Sequence, residues 1–126
     1  MITVAAAVMF DEAGRVLLCS RPADKPPAGW EFPGGKTEPG ESLAQALERE
    51  LIEELDLPGK AGNEIICVTT PKVELHFLEF FPAPGAVLTP RENQSFRWQS
   101  ITEDMPEDLL PNDRPVWDVL KKMKNV

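Results

Sequence analysis

The chain has 126 residues, 42% of them apolar, enough for one ordinary domain to build its own core. Thirteen Lys plus Arg against twenty-one Asp plus Glu leave a formal charge of −8, which excludes long nucleic acid as a partner unless basic residues gather on one face. A small phosphorylated ligand is not excluded, because carboxylates that load divalent cations become an anion-accepting site.

Residues 2–10, apolar except for Thr3, have no basic residue before them and are too short to span a bilayer. They read as a buried strand of a cytoplasmic protein with no membrane segment. Asp11-Glu12-Ala13-Gly14 supplies turn chemistry and residues 15–20 resume an apolar run of strand length, so the pair is predicted to form a β-hairpin. Residues 21–29, with Pro22, Pro26, Pro27 and Gly29, read as an irregular surface loop. Trp30-Glu31-Phe32-Pro33 alternates apolar and polar, and Gly34-Gly35 and Pro39-Gly40 then bracket a tight loop.

Ser42 followed by Gln45 matches a capping box. Leu43, Leu47, Leu51 and Leu55 recur every four residues and predict a helix ending near Asp56, stopped by Pro58-Gly59. Residues 64–70 and 73–81 are rich in Ile, Val, Thr and Phe and are divided by Pro71, which suggests two strands or one long bent pair. Residues 82–90 form a second punctuated loop and residues 95–99 a short strand. Val116, Leu120 and Met123 mark a C-terminal helix that begins around residues 112–115. The layer arrangement implied is an α/β/α sandwich, a mixed sheet between helices, in one domain over residues 1–126. Cys19 and Cys67 sit in apolar runs without metal-type spacing and read as reduced core residues. His76 is the only histidine, so a histidine-based metal site or a Ser-His-Asp triad has almost no material, and sheet packing is its expected role. Trp98 and Trp117 read as core anchors.

Chemistry concentrates in residues 34–57. Glu50, Glu53 and Glu54 are three and four residues apart on the predicted helix, which puts three carboxylates on one face about a turn apart. Their repulsion needs cations, and Arg49 alone supplies one positive charge against three negative. Divalent metal offsets the rest: Mg²⁺, with Mn²⁺ as a possible substitute, takes carboxylate and phosphate oxygens together and activates a bound water. An isolated Glu-x-x-Glu-Glu would instead be a solvated acidic face.

The wider context separates the two readings. The segment resembles the Nudix box, G-x5-E-x7-R-E-U-x-E-E-x-G-U with U apolar: Gly35, Glu41, Arg49, Glu50, Leu51, Glu53, Glu54 and Leu57 all fall at the required positions. A chance match is on the order of 10⁻⁸ per start position. Asp56 replaces the last glycine and, as one of the few residues tolerant of the left-handed region, is expected to leave the site intact.

The resemblance implies a hydrolase of phosphoanhydride bonds. It implies Glu50 and Glu54 as direct metal ligands, Glu53 as a further ligand or the base for the attacking water, and Glu41 as an outer ligand. Arg49 would orient a neighbouring glutamate, and a backbone carbonyl of the Gly34-Gly35 turn would complete a metal's shell, with Gly34 the residue assigned. Spacing does not choose the base, and some members use a glutamate in a later loop, for which Glu92 is the candidate here. Beyond the box, Trp30 to Lys36, the spacing of Glu92 to Trp98, and Leu110-Pro111-Asn112 resemble the MutT branch, whose members release pyrophosphate from nucleoside triphosphates.

By that analogy Arg21 and Lys36 would meet the substrate, Arg21 through phosphate. Phe32 would pack against a base, or be a core residue. Asn112 would hydrogen-bond the base edge, or cap a helix, or both. The expected activity is hydrolysis of a nucleoside triphosphate to monophosphate and pyrophosphate, with an oxidised guanine nucleotide foremost, in sanitising the nucleotide pool. Pyrimidine triphosphates, ADP-ribose and dinucleoside polyphosphates are the alternatives. A non-catalytic nucleotide-binding module is disfavoured because every box glutamate is present. The expected partner is a small-molecule nucleotide, and the protein a monomer or homodimer.

Overall fold

The structure is a computed structural model that describes residues 1–21, 28–91 and 94–124, with only the backbone of Lys124. Chain order is β1 (Ile2–Val8), β2 (Arg15–Ser20), β3 (Trp30–Glu31), β4 (Gly34–Lys36), α1 (Leu43–Leu55), β5 (Gly59–Thr69), β6 (Val73–Pro82), β7 (Phe96–Ser100), a 3-10 turn (Pro111–Asp113) and α2 (Arg114–Lys124). Among the described residues no helix is long and apolar enough to cross a membrane.

The strands form two sheets rather than one. The larger has the order β4-β1-β6-β5, with β1 and β6 parallel and the other pairs antiparallel. The smaller is β3-β2-β7, all antiparallel. The expected β1–β2 hairpin is therefore corrected. The turn is hairpin-like, since Asp11 N–H donates to the Arg15 carbonyl at 2.9 Å and the Asp11 carboxylate accepts from the Ala13 and Arg15 amides. Past the Phe10–Val16 bridge, however, the strands diverge into different sheets.

Period-two alternation explains how both strands remain buried. Ala5, Ala7 and Met9 with Leu17 and Cys19 face one core, closed by Ala46, Leu47, Leu51 and Leu55 of α1. Ala6 and Val8 with Val16 and Leu18 face the other, closed by Val116, Trp117 and Leu120 of α2. Trp117 is a core anchor as expected, and Trp98 packs partly buried against the α1 core.

Helix α1 starts and stops as its sequence dictates. Gln45 N–H donates to Ser42 Oγ at 3.1 Å and Ser42 N–H to Gln45 Oε1 at 2.9 Å, the reciprocal capping box. At its other end Asp56 adopts φ 54°, the one positive φ outside glycine among the described residues. The carbonyls of Glu54 and Leu55 accept from the Arg91 and Thr89 amides, each at 2.8 Å, so the loop before Glu92 is tied to the end of the helix.

Strand β5 begins at Gly59, earlier than its apolar run suggests, and carries irregularities on either side of Glu64. Cys19 is buried as expected, but Cys67 is exposed, because Ile66 and Val68 take the core-facing positions of that strand and leave Cys67 on the opposite face.

Candidate active site

Strand β4 and helix α1 meet at the paired glycines. A Cβ on Gly34 would stand 2.0 Å from the Ala5 carbonyl oxygen, and one on Gly35 would stand 2.3 to 2.7 Å from the Glu50 carboxyl atoms. Only glycine at both positions lets β4 lie against β1 while a helix carboxylate rests on its backbone.

Arg49 sits at the centre of the box. Its Nε and Nη2 donate to the two oxygens of Glu41 at 2.7 and 3.0 Å, a bidentate pair. Nη1 donates to Glu50 at 3.0 Å and to Glu53 at 3.1 Å, and Nη2 also reaches the Lys36 carbonyl at 3.0 Å. A further carboxylate, Glu38, lies 3.7 Å from Nη1. One guanidinium thus bridges the glycine strand, the loop before α1 and the helix face. Hydrogen bonding to Glu41 first, and then to Glu50 and Glu53, holds Arg49 well above its ordinary pKa despite some desolvation. The Glu41 carboxyl is held below its usual range by hydrogen bonds from Arg49 and the Glu38 amide.

Glu54 points elsewhere. It lines a small recess with Gly34, Cys19, Arg21, Glu31 and Gln94. Burial, followed by the charges of Glu54 and Glu31, pushes the Cys19 thiol up to about 12, so this cysteine is a neutral wall of the recess. Gln94 is buried and its Nε2 donates to the Glu54 carbonyl at 3.4 Å.

A larger cleft of about 420 Å³ adjoins the recess, lined by Arg21, Glu31, Lys36, Asn112 and Asp113 with Val4 and Leu75. The segment before α2 reaches it because Trp30 N–H donates to the Asp108 carbonyl at 2.9 Å and Leu110 N–H to the Trp30 carbonyl at 2.8 Å. Asp113 then accepts from Phe32 N–H at 2.8 Å. Burial pushes the Asp113 carboxyl up to about 7, with Glu31 adding to the shift and the Phe32 amide and Arg21 opposing it. The Glu31 carboxyl is likewise raised by burial, against the pull of Arg21, whose Nε lies 3.2 to 3.3 Å from its oxygens.

The structure thus gathers Glu41, Arg49, Glu50 and Glu53 in one cluster, Glu54 and Gly34 at the recess, and Arg21, Lys36 and Asn112 around the cleft. Phe32, read either as a packing surface for a base or as a core residue, has its side chain in the core: it is 3% exposed and its ring meets Phe77 edge-on with centroids 5.8 Å apart. Asn112 does not cap the 3-10 turn, whose N-cap is Leu110, and it stands exposed in the turn on the cleft wall. Glu92 lies outside the described residues. Two cleft acids escaped the sequence reading. Glu31 sits on the polar beat of Trp30-Glu31-Phe32, and Asp113 directly follows Asn112. A carboxylate next to an assigned ligand residue was the available signal.

The donor set, hard carboxylate oxygens beside a glycine cradle, suits a divalent cation of the Mg²⁺ type. The NUDIX domain profile matches residues 1–119. This chain belongs to the Nudix hydrolase family. It is 36% identical over 129 residues to a CTP pyrophosphohydrolase of Escherichia coli, covering 98% of this chain and 94% of that protein. A 55-residue stretch, 43% of this chain and 49% of the relative, is 46% identical to an 8-oxo-dGTP diphosphatase of Proteus vulgaris. The solution structure of the Escherichia coli ORF135 protein superposes with a TM-score of 0.82 at 35% identity, covering 98% of this chain and 91% of that one. That structure shares the mixed α/β architecture.

Proposed function

We propose that this Nudix hydrolase is a divalent-metal-dependent nucleoside triphosphate pyrophosphohydrolase, releasing nucleoside monophosphate and pyrophosphate, with amino-bearing bases as its substrates. The observation that carries the reading is the placement of the Arg49 carboxylate cluster beside a cleft lined by two cations, Arg21 and Lys36, together with Glu31, Asn112 and Asp113.

Glu50, Glu54 and the Gly34 backbone carbonyl would hold Mg²⁺, with Glu53 a further ligand or the base, Glu41 an outer ligand and Mn²⁺ as a substitute. When bound, the metal neutralises phosphate charge and makes a bound water more acidic. Arg49 fixes Glu41, Glu50 and Glu53 relative to the helix, so that the carboxylates are arranged before substrate arrives. Glu53 is the most exposed of the three, 53% for its side chain, and is assigned as the base that takes the water's proton. Glu92 is the alternative base. As the water oxygen bonds to phosphorus, the anhydride bond breaks and its electron pair leaves with pyrophosphate, whose charge Arg21 and Lys36 help to stabilise.

The base preference follows from the acids in the cleft. Glu31 and Asp113 accept from exocyclic amino groups, which cytosine and oxidised guanine carry and uracil and thymine lack. The MutT resemblance puts oxidised guanine first; the likeness to a CTP pyrophosphohydrolase along nearly the whole chain supports moving CTP to the front. The decisive experiment is pyrophosphate release, with Mg²⁺ and with chelator, across all common nucleoside triphosphates, the oxidised guanine triphosphate, ADP-ribose and a dinucleoside polyphosphate. Metal-dependent release with about 10²-fold or greater preference in kcat/KM for CTP or oxidised dGTP over UTP and dTTP is expected. Preference for a diphosphate derivative overturns the triphosphate assignment, and silence across the panel overturns catalysis.

A further inference from the structure

Strand alternation creates a second donor cluster on the larger sheet. Val73, Leu75 and Phe77 turn toward the α2 core, so Glu74 and His76 project from the opposite face of β6. On β5 the same parity sends Ile66 and Val68 to the α2 core and Cys67 to the face of His76. Cys67 and His76 are directly paired across the strands, with Sγ and Nε2 3.9 Å apart.

Glu64 is three residues before Cys67 and would face the other way on a regular strand. The irregularity between Glu64 and Ile66 restores it to the same face, where it pairs with Leu78 and its carboxylate meets His76 Nδ1. Bulges re-aim side chains in this manner.

We propose that Cys67, His76 and Glu74 form a binding site for a borderline transition-metal ion of the Zn²⁺ class, separate from the Nudix glutamates. Among the described residues these three are the His, Cys, Asp or Glu side chains whose donor atoms lie within 4.8 Å of one another as a group. In a tetrahedral zinc site with ordinary bond lengths the sulfur and nitrogen ligands stand about 3.6 Å apart, so the observed separation needs an adjustment of a few tenths of an ångström. Glu64 accepts from Nδ1–H, which fixes the ring and leaves Nε2 as the ligand atom, the carboxylate–histidine–metal arrangement. One thiolate and one carboxylate balance a divalent charge, and a water completes four-coordination. Sulfur and imidazole select against Mg²⁺, so the two sites sort their metals by ligand type.

Binding replaces protons with metal. Burial lowers the pKa of His76, yet hydrogen bonds with Glu64 and Glu74 at its two nitrogens hold it above the ordinary value. The ion takes Nε2 and Sγ, releasing their protons, and Glu74 turns from Nε2 to the metal.

The test is Co²⁺ titration of the intact protein in excess Mg²⁺. One equivalent is expected to produce tetrahedral ligand-field bands and a thiolate-to-cobalt charge-transfer band. Cys67→Ser should abolish the charge-transfer band, His76→Gln should weaken binding about tenfold or more, and Glu53→Gln should leave the spectrum unchanged. A charge-transfer band that survives Cys67→Ser, or none at stoichiometric cobalt, overturns the site. A readout on the unmutated chain guards against unfolded variants: Zn²⁺ in excess Mg²⁺ should slow alkylation of exposed Cys67 at least about tenfold, and an unchanged rate overturns the proposal equally.

Discussion

The carboxyl carbon of Glu50 lies 2.3 Å from where a Cβ on Gly35 would stand, so this side chain and the β4 backbone occupy space that any other residue at position 35 would claim. Glycine there serves the position of a carboxylate rather than a turn. Gly35→Ala should push Glu50 aside by about an ångström and lower kcat roughly 10²-fold, with the far-UV circular dichroism spectrum retained. Activity within a factor of about three would mean that Glu50 has no fixed place in the reaction.

Glu53→Gln removes the assigned base while keeping shape. Its side chain is half exposed and makes its hydrogen bond with Arg49, so stability should change little while kcat falls by about 10² to 10⁴. Steady-state kinetics beside a thermal melt separates the two effects, and near-wild-type turnover would transfer the role to another carboxylate, with Glu92 next to be tested.

Arg49→Lys conserves charge but loses the planar fork that engages both oxygens of Glu41 while reaching Glu50, Glu53 and the Lys36 carbonyl. An ammonium with three donors cannot reproduce this geometry. Turnover should drop about 10²-fold, with a smaller change in KM for the nucleotide. A variant with wild-type kcat would reduce Arg49 to a counter-charge.

Asp113 makes stability depend on pH. Its carboxyl, raised by burial from an ordinary 3.8 to about 7, binds more protons folded than unfolded between those values. Its stabilising contribution is complete below 3.8 and disappears as pH rises through about 7. Asp113→Asn keeps an oxygen to accept from Phe32 N–H and removes the titration. The fall of Tm with rising pH across that window should therefore be shallower in the variant, and parallel curves would contradict the shift.

Asp56 occupies the left-handed region at φ 54° where the Nudix pattern has glycine. Relief of that conformation is worth about 1 kcal/mol, partly offset by the greater chain entropy of an unfolded glycine. The ion pair with Arg91 is largely exposed and adds little. Asp56→Gly should move Tm upward by no more than a few degrees and leave kcat within about twofold, and a loss of activity would assign Asp56 a role in the site.

Helix α1 was legible because its signals are local. A capping pair, a leucine every fourth residue and a Pro-Gly stop act within a turn or two of one another, and all three operate in the structure. The glutamate cluster inherits that legibility from its helix. The destinations of β1 and β2 were not legible: both alternate fully buried residues, and a turn pattern between them says nothing about which sheet each joins. Cys67 shows the same limit from the other side. Counting apolar neighbours suggests burial, whereas the parity of Ile66 and Val68, visible only once the strand's facing is known, puts it outside. Phe32 and Asn112 required a partner from far along the chain, because one packs on Phe77 and the other is carried to the cleft by the pairing of Trp30 with the segment before α2.

The hydrogen bond from Phe32 N–H to Asp113 spans 81 residues and joins the approach to the glycine strand with the entry to α2. Helix α1, with its self-contained cap, has been synthesised well before residue 113 leaves the ribosome. The cleft proposed for the nucleotide lacks Asn112 and Asp113 until then. A nascent chain therefore carries the glutamates proposed for hydrolysis before it carries the residues proposed to select the base, so on this reading specificity is completed last in synthesis.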